Sequence, residues 1–245
     1  MYLNYTLSGH IYISPQDDCR KIVDAMLATE YDMDFCLAED FSPDFVASLM
    51  EAGFLVMSMN LSQDNTAPEF ILLPKLHLVR SALFFENLHI KKSIRRFLTR
   101  YELRPDAEFE RIVDRCVEKH KSDWLSPPLV DCIKKIRAAR PKPEAGRLVP
   151  TPNAYPASFA LYREGKLIAG EFGVVCGKVY TSYSGFYDED NAGTVQLVLA
   201  TRHLQEQGFS FFDLGMPLDY KNDLGAVDIY PEEFVRIFRD GENKP

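Results

Sequence analysis

The chain has 245 residues, of which 46% are hydrophobic, and its formal net charge is −8, so we expect a globular protein with enough core to fold unaided. We expect no membrane span, because no run of eighteen apolar residues exists, and no secretory signal, because the first residues lack a basic and then apolar pattern. The five cysteines are scattered, which predicts buried reduced thiols in a cytoplasmic protein and argues against a zinc site.

The N-terminal residues mix short helical and extended patterns. A polar run precedes apolar residues at helical spacing over 19–27, which predicts a first helix. Ser42 and Pro43 suit the N-cap and first position of a second helix, and Gly53 suits its end. The extended segments predicted after it are 54–59 and 71–85, with a loop at 62–68 between them.

A basic block lies in an otherwise acidic chain. Between Glu86 and Lys142, fifteen Lys and Arg residues stand against nine Asp and Glu residues, a net of +6, so the rest of the chain carries −14. The pattern from Asn87 predicts a helix with its charges on one exposed surface, followed by amphipathic helices over 106–120 and 128–139. The block is either a polyanion-binding face or an ordinary solvated helix surface.

The C-terminal half has the pattern of strands. The proline-rich segment 140–156 predicts a long exposed loop. Three strand patterns joined by tight turns follow over 158–186, and then a helix over 194–207 and a strand over 210–214. This β-β-β-α-β order predicts an acyltransferase core of the GCN5-related N-acetyltransferase type.

The turn before the helix at 194–207 argues against coenzyme A as the acyl donor. Acetyltransferases of this fold bind the pyrophosphate of coenzyme A at this helix N-terminus, through backbone N–H groups and the helix dipole. Here the turn holds Asp188, Glu189 and Asp190. We expect these carboxylates to satisfy the positive helix end and to repel a pyrophosphate, and we predict no cofactor.

Eight short sequence segments carry a resemblance through their residues and their order along the chain: 38–43 (AEDFSP), 53–54 (GF), 87–97 (NLHIKKSIRRF), 109–116 (FERIVDRC), 123–125 (DWL), 170–174 (GEFGV), 211–215 (FFDLG) and 224–226 (LGA). Together they resemble the bacterial leucyl/phenylalanyl-tRNA–protein transferase family, with an insertion around 140–155. The resemblance implies an α+β fold with a small N-terminal domain, residues 1–86, and a GCN5-related N-acetyltransferase-like C-terminal domain, residues 87–245. The latter would comprise basic helices (87–139), the insertion loop (140–156) and a catalytic sheet (157–245).

The family moves Leu or Phe from aminoacyl-tRNA onto the N-terminal amine of proteins that begin with Arg or Lys, which marks them for N-end-rule degradation. The resemblance therefore implies aminoacyl-tRNA and a protein N-terminus as partners, with no coenzyme A, no metal and no membrane, and we expect a monomer. It implies a tRNA-contacting surface whose phosphate contacts are sensitive to salt. The residues of this surface are Lys91, Lys92, Arg95, Arg96 and Arg100.

The resemblance also implies that Asp213 is the catalytic residue that handles a proton. Its usual Gln partner is replaced by Gly215, and the family's Glu that helps to recognise the basic acceptor residue is replaced by Tyr183. Three alternatives stay open. The chain transfers by another route, or it uses another donor or acceptor, or it has lost activity and binds tRNA or a protein N-terminus.

Glu171 occupies a family position that is apolar and lines the pocket for the donor side chain. Because a lone buried carboxylate is costly, Glu171 either replaces the lost acceptor-binding carboxylate, pairs with a polar or basic donor, or points to solvent from an edge strand. Trp124 would abut the adenosine end of the tRNA or belong to the core. The remaining predicted pocket walls, Phe172, Tyr180 and Phe186, suit a core equally well.

Overall fold

The structure is a computed structural model that describes residues 3–29, 31–62, 67–121, 124–140 and 146–243. Residues 63–66 of the predicted loop, Asp123 and residues 141–145 of the predicted insertion lie outside these ranges. The helices are α1 (Cys19–Ala28), α2 (Pro43–Glu51), α3 (Lys92–Arg95), α4 (Phe109–His120), α5 (Pro127–Ala139), α6 (Ala192–Glu206), α7 (Asp219–Asp223) and α8 (Pro231–Asn243). The strands are β1 (Asn4–Tyr5), β2 (Ile11–Tyr12), β3 (Leu55–Asn60), β4 (Phe70–Lys75), β5 (Arg80–Leu83), β6 (Glu102–Pro105), β7 (Thr151–Arg163), β8 (Lys166–Gly177), β9 (Val179–Tyr187), β10 (Phe211–Asp213) and β11 (Val227–Ile229).

Both predicted N-terminal helices are confirmed. α1 begins after Asp18, whose side chain accepts a hydrogen bond from the Lys21 N–H. α2 begins at Pro43, and Gly53 follows its end with a φ of +100°. Each helix buries an apolar face, and α2 packs against α5, β3 and β7.

The main sheet has seven described strands in the order β11-β5-β10-β9-β8-β7-β6. Strands β7, β8 and β9 are antiparallel, and α6 then connects β9 to β10, which lies parallel to β9. This is the predicted β-β-β-α-β order, so the α+β fold with a GCN5-related N-acetyltransferase-like sheet is confirmed. The domain division at residue 86 stays a prediction, and β5, on its N-terminal side, is a member of the main sheet.

Helices cover both faces of the main sheet. Apolar residues of α2, α4, α5 and α8 pack on one face, with Phe172 and Val174 of β8. Residues of α6 pack on the other face, with Val175 of β8 and Tyr180 of β9. Side chains alternate between the faces along β8, so Glu171 shares the α6 face with Val175.

The prediction of a long basic helix from Asn87 is wrong. Residues 85–105 are all described, and they contain the one-turn helix α3 between two 3₁₀ turns, Phe85–Asn87 and Leu98–Arg100, followed by the unpredicted strand β6. Ile94 is buried among residues of β7, β8 and α6. The burial of Ile94 and the pairing of β6 with β7 determine the local structure, because the helical pattern from Asn87 is only a few turns long and is weakly stable by itself.

The predicted loop at 140–156 is wrong over its last six residues, which begin β7. β7 pairs with β8 from Thr151 onward, but β6 pairs with it only at 159–162. Pro156 is tolerated because β6 does not reach it, and its carbonyl accepts a hydrogen bond from Arg137 Nη1 at 2.7 Å instead.

The single extended segment predicted over 71–85 is wrong, because β4 ends at Lys75, β5 begins at Arg80, and the two strands belong to different sheets. The other predicted elements are confirmed to within a few residues. Glu164 and Gly165 have φ values of 51° and 77°, as a two-residue hairpin turn requires. All five cysteines are buried, as expected. Within the described ranges, every helix is too short or too polar to cross a membrane.

Candidate functional site

Strands β9 and β10 pair as far as Thr181 and Asp213 and then separate. The chain after β10 follows β5 instead. Leu214 N–H donates to the Ser81 carbonyl at 2.9 Å, and Ser81 N–H donates to the Gly215 carbonyl at 2.7 Å. Gly215 has a φ of +73°, which favours glycine, so its backbone makes the turn away from β9.

The predicted catalytic residue Asp213 is fully buried in an ion pair with Arg80, which is 1% exposed. Arg80 Nε donates to Oδ1 at 3.0 Å, and Nη2 donates to Oδ2 at 2.7 Å. Thr181 Oγ1 donates to Oδ2 at 2.8 Å, and Gly215 N–H donates to Oδ1 at 3.0 Å. Arg80 Nη1 also donates to the Gly53 carbonyl. Both carboxylate oxygens are therefore bound inside the protein.

These contacts keep Asp213 charged. Burial alone would raise the pKa of its carboxyl group, but the Arg80 guanidinium and the hydrogen bonds from Arg80, Gly215 and Thr181 lower the pKa below 3.8. A carboxylate with a lowered pKa and occupied oxygens is a poor proton acceptor. The proton-handling role of Asp213 stays a prediction, and the geometry favours a positioning role.

Lys221 holds the loop that follows β10. It lies on α7, is 6% exposed, and its Nζ donates to the carbonyls of Leu214 and Met216 at 2.5 and 2.7 Å. Burial lowers the pKa of Lys221, and the negative charge of Asp213 opposes this effect. Burial also lowers the pKa of the nearby His77 to about 3, so this imidazole is neutral at pH 7.

Glu171 is buried on the α6 face of the sheet. It is 3% exposed and lies in a central strand, so the solvent-facing alternative is wrong. Its Oε2 accepts a long hydrogen bond of 3.4 Å from Gln196 Nε2. Among the described residues, neither Glu171 Oε1 nor the hydroxyl of the fully buried Tyr180 has a hydrogen-bond partner. Unsatisfied buried polar groups are rare and costly, so this pair marks a candidate binding site.

The environment of Glu171 also changes its ionisation. Burial raises the pKa of Glu171 to about 7, although Gln196, Tyr180 and the charge of Lys221 act in the opposite direction. Burial and the charge of Glu171 raise the pKa of Tyr180 well above its ordinary value. Partial burial and the same charge raise the pKa of Tyr220. Glu171 therefore titrates near pH 7 between two neutral phenols.

The predicted pocket walls lie on two faces of the sheet. Tyr180 faces α6, whereas Phe172 and Phe186 are buried on the opposite face. Phe172 makes an edge contact with Phe109, and the Arg115 guanidinium lies 4.1 Å from the Phe186 ring centroid. The structure thus places Phe172 and Phe186 in the core, and their role as pocket walls stays a prediction.

Tyr183 connects β9 to the N-terminal half of the chain. The pairing of β8 with β9 shifts register between Phe172 and Gly173, and Tyr183 is the extra residue of β9 at this bulge. Its hydroxyl accepts a hydrogen bond from the Val56 N–H at 3.1 Å, and its ring packs against Phe172. Burial raises the pKa of Tyr183, so the phenol is neutral. Its role in acceptor recognition stays a prediction.

Trp124 is half-buried against the core, and its carbonyl accepts hydrogen bonds from the N–H and Oγ of Ser58, both at 2.9 Å. Its contact with adenosine stays a prediction.

The basic residues predicted to contact tRNA are all exposed: Lys91, Lys92, Arg95, Arg96 and Arg100. Lys91 pairs with Asp223 at 2.5 Å.

A cavity of about 280 Å³ lies beside the basic segment. Its walls come from residues 89–91, 93 and 94, from Thr194 and Val198 of α6, and from Tyr220 and Asp223 of α7. Tyr220, a wall of this cavity, also feels the charge of Glu171.

The acidic turn before α6 does not satisfy the helix end as predicted. Asp188 accepts two hydrogen bonds from Arg115 at 2.7 and 3.1 Å, and Glu189 pairs with Arg163 at 2.7 Å. Asn191 occupies the N-cap position in a left-handed conformation without a side-chain hydrogen bond. The two carboxylates thus bind arginines, and the exclusion of coenzyme A stays a prediction.

Sequence reasoning missed Arg80, Lys221, His77 and Gln196. No motif in the sequence indicates a role for Lys221 or Gln196. Arg80 left a signal, because it is the only Asp, Glu, Lys or Arg residue in the apolar run 76–85. A single charge in a predicted strand indicates a buried ion pair.

A sequence profile of the family described as leucyl/phenylalanyl-tRNA protein transferase matches residues 82–239. This chain belongs to that family. The family's strings at 38–43 and 53–54 lie outside the match and stay a prediction.

Two relatives of that name show the extent of the likeness. The protein from Pseudomonas entomophila is 28% identical over 161 residues, which are 64% of this chain and 65% of the relative. The protein from Rubrobacter xylanophilus is 30% identical over 159 residues, which are 64% of this chain and 76% of the relative. The chain thus spans only about two thirds of the length of the Pseudomonas relative.

Two solved structures are similar to this chain at low TM-scores. A GCN5-related N-acetyltransferase from Kribbella flavida has a TM-score of 0.39 and 14% identity, and the match covers 88% of this chain and 73% of that one. L-PGS from Bacillus licheniformis has a TM-score of 0.40 and 11% identity, with coverages of 99% and 89%. The fold class rests on the strand order of the main sheet.

We expect Arg80→Met to lower the free energy of unfolding by about 3–5 kcal/mol, because it leaves the charge of Asp213 buried and unpaired. Adding Asp213→Leu should recover part of this loss, since neither charge then remains. Urea denaturation at pH 7 measures Arg80→Met, Asp213→Leu and the double variant. A double variant whose loss equals the sum of the single losses would contradict the ion pair.

Once the pH exceeds the pKa that Glu171 has in the unfolded chain, this residue should destabilise the folded state. Because the folded pKa is raised from 4.5 to about 7, the folded state binds the proton more tightly, and the free energy of unfolding falls as pH rises across this interval. The interval corresponds to about 3 kcal/mol. We expect Glu171→Gln to be more stable than the wild type at pH 8 and to lose this gain near pH 4 in urea denaturation. If the difference in free energy of unfolding between Glu171→Gln and the wild type does not change with pH, the raised pKa of Glu171 is contradicted.

Proposed function

We propose that the protein transfers an aminoacyl group from aminoacyl-tRNA to the N-terminal amine of a protein that begins with Arg or Lys, and so directs that protein to N-end-rule degradation. The family match over residues 82–239 is the observation that carries this proposal. The matched region contains β8, β9 and β10, and with them Glu171 and Asp213. The relatives that share it are named as transferases between tRNA and protein.

The reaction is the aminolysis of an ester. The acceptor amine, in its neutral form, makes an N–C bond to the aminoacyl carbonyl, the ester C–O bond breaks, and one amine proton ends on the ribose oxygen of the tRNA. An aminoacyl ester is already activated, so positioning contributes more than a strong base. In this proposal Asp213 is a positioning residue, which with Arg80 and Lys221 fixes the backbone after β10.

The exposed basic segment supports tRNA as the donor. Lys92, Arg95 and Arg96 are exposed on α3 and its C-cap, and residues adjacent to them in sequence line the cavity beside α6. Phosphate contacts from such residues position a nucleic acid without reading its sequence. Lys91 contributes less, because its ammonium already pairs with Asp223.

The second candidate is a protein that binds aminoacyl-tRNA or a protein N-terminus without transfer. The occupied oxygens of Asp213 favour it, as do Gly215 and Tyr183 at positions where the family resemblance implies Gln and Glu.

Transfer is tested with radiolabelled aminoacyl-tRNAs and peptides that begin with Arg or Lys, and we expect labelled peptide. Replacing Lys92, Arg95 and Arg96 together by Ala should weaken tRNA binding and flatten its salt dependence, by about 0.7–0.9 in log–log slope per lost phosphate contact. The matched control replaces three exposed basic residues on other helices: Lys21, Lys135 and Arg236. Persistent tRNA binding without transfer from any donor would leave the second candidate and contradict the first.

A further inference from the structure

Polar side chains from three elements converge on the α6 face of the sheet. Glu171 of β8, Tyr180 and Ser182 of β9, and Gln196 of α6 lie near enough to affect the ionisation of the Glu171 carboxyl group. Within the described part of the chain, Glu171 Oε1 and Tyr180 Oη make no well-formed hydrogen bond, although the Tyr180 hydroxyl lies near enough to lower the pKa of Glu171. The fold gains nothing from burying these oxygens, so the arrangement fits a ligand that brings the missing donors.

The surrounding charges favour a cationic ligand. Lys221 is the cation whose charge acts on Glu171, but its Nζ donates to the carbonyls of Leu214 and Met216. Arg80 is bound to Asp213. An ammonium or guanidinium group brings a positive charge together with N–H donors, which a carboxylate and a phenol oxygen both accept. A leucyl or phenylalanyl side chain brings neither, so the buried charge of Glu171 would be stabilised only by groups of the chain itself, such as Gln196 and the nearby Tyr180 hydroxyl.

The cavity beside the basic segment provides access. Tyr220 lines this cavity, and burial together with the charge of Glu171 raises the pKa of its phenol, so the carboxylate acts on a wall of the cavity. The side chain is 50% exposed, which leaves it room to move. A nucleotide end held near Lys91 would place an attached aminoacyl side chain beside Tyr220, on the wall of the cavity that feels the charge of Glu171.

We infer that this site accepts an aminoacyl donor with a basic side chain, whose ammonium or guanidinium group binds between Glu171 and Tyr180. The inference rests on the proposed transferase function and specifies the donor class of that same site. It assigns Glu171 to donor selection rather than to acceptor recognition.

Ionisation of Glu171 gives the inference a second readout. The titratable groups around the carboxyl group are Tyr180, Tyr220, Lys221 and Cys116. The pKa values of the two phenols and of the Cys116 thiol are raised, to about 12 for the thiol, so these groups stay neutral near pH 7. The preference for a cation should therefore grow from pH 6 to pH 8 as Glu171 becomes charged.

The test measures binding to adenosine derivatives that carry an aminoacyl group through a stable 3′-amide. The lysyl and norleucyl derivatives form a matched pair, because they differ mainly in the terminal ammonium. At pH 8 we expect the full chain to bind the lysyl derivative about tenfold more tightly, by calorimetry. Glu171→Gln should abolish this preference, and Tyr180→Phe should reduce it. Glu118→Gln, an exposed change on α4, is the control, and thermal melting verifies that each variant is folded.

The outcomes separate this inference from the proposed function. Equal binding of the two derivatives, no binding of either, or an unchanged preference in Glu171→Gln would overturn it. Because amide-linked probes bind without reacting, a lysyl preference in a protein that transfers nothing supports the donor class and contradicts the transferase. Transfer of leucyl but not lysyl groups from tRNA would keep the transferase and overturn the donor class.

Discussion

The buried ion pair between Arg80 and Asp213 connects the elements on which the candidate site depends. Removing two charges from water costs several kcal/mol for each ion, and this cost is recovered only when the remaining donors and acceptors are also bound. Here Thr181 and Gly53 complete the hydrogen bonding, and the Arg80 guanidinium lies 4.1 Å from the ring centroid of Phe234. The pair thereby joins β5, β9, β10, α8 and the end of α2, and it fixes the place where β9 and β10 separate.

The two buried carboxylates, Asp213 in β10 and Glu171 in β8, have opposite environments. Asp213 is surrounded by donors and has a lowered pKa, so it acts as a fixed negative charge. Glu171 lacks such donors among the described residues, and burial raises its pKa to about 7. Environments that move the pKa values of two carboxyl groups apart suit them to different tasks. Asp213 is suited to positioning the backbone after β10, whereas Glu171 is suited to binding a ligand.

Local signals predicted much of the fold. Pro43, Gly53 and the Glu164-Gly165 turn act through backbone conformation, which depends on few neighbours, and the elements that they delimit are confirmed. Charge and proline patterns were less informative, because contacts from distant segments decided the outcome at Ile94 and Pro156. The two carboxylates of the site were found through family resemblance. Their surroundings were not, since Arg80 and Asp213 are 133 residues apart and no local pattern connects them.

The central claim is that Asp213 positions the site while Glu171 binds the donor. A crystal structure with the 3′-amide-linked lysyl adenosine tests it most directly. The account predicts that the lysyl ammonium lies within hydrogen-bond distance of Glu171 and Tyr180, with Asp213 still bound by Arg80. A lysyl side chain bound elsewhere, or an Asp213 that leaves Arg80 to contact the aminoacyl group, would contradict it.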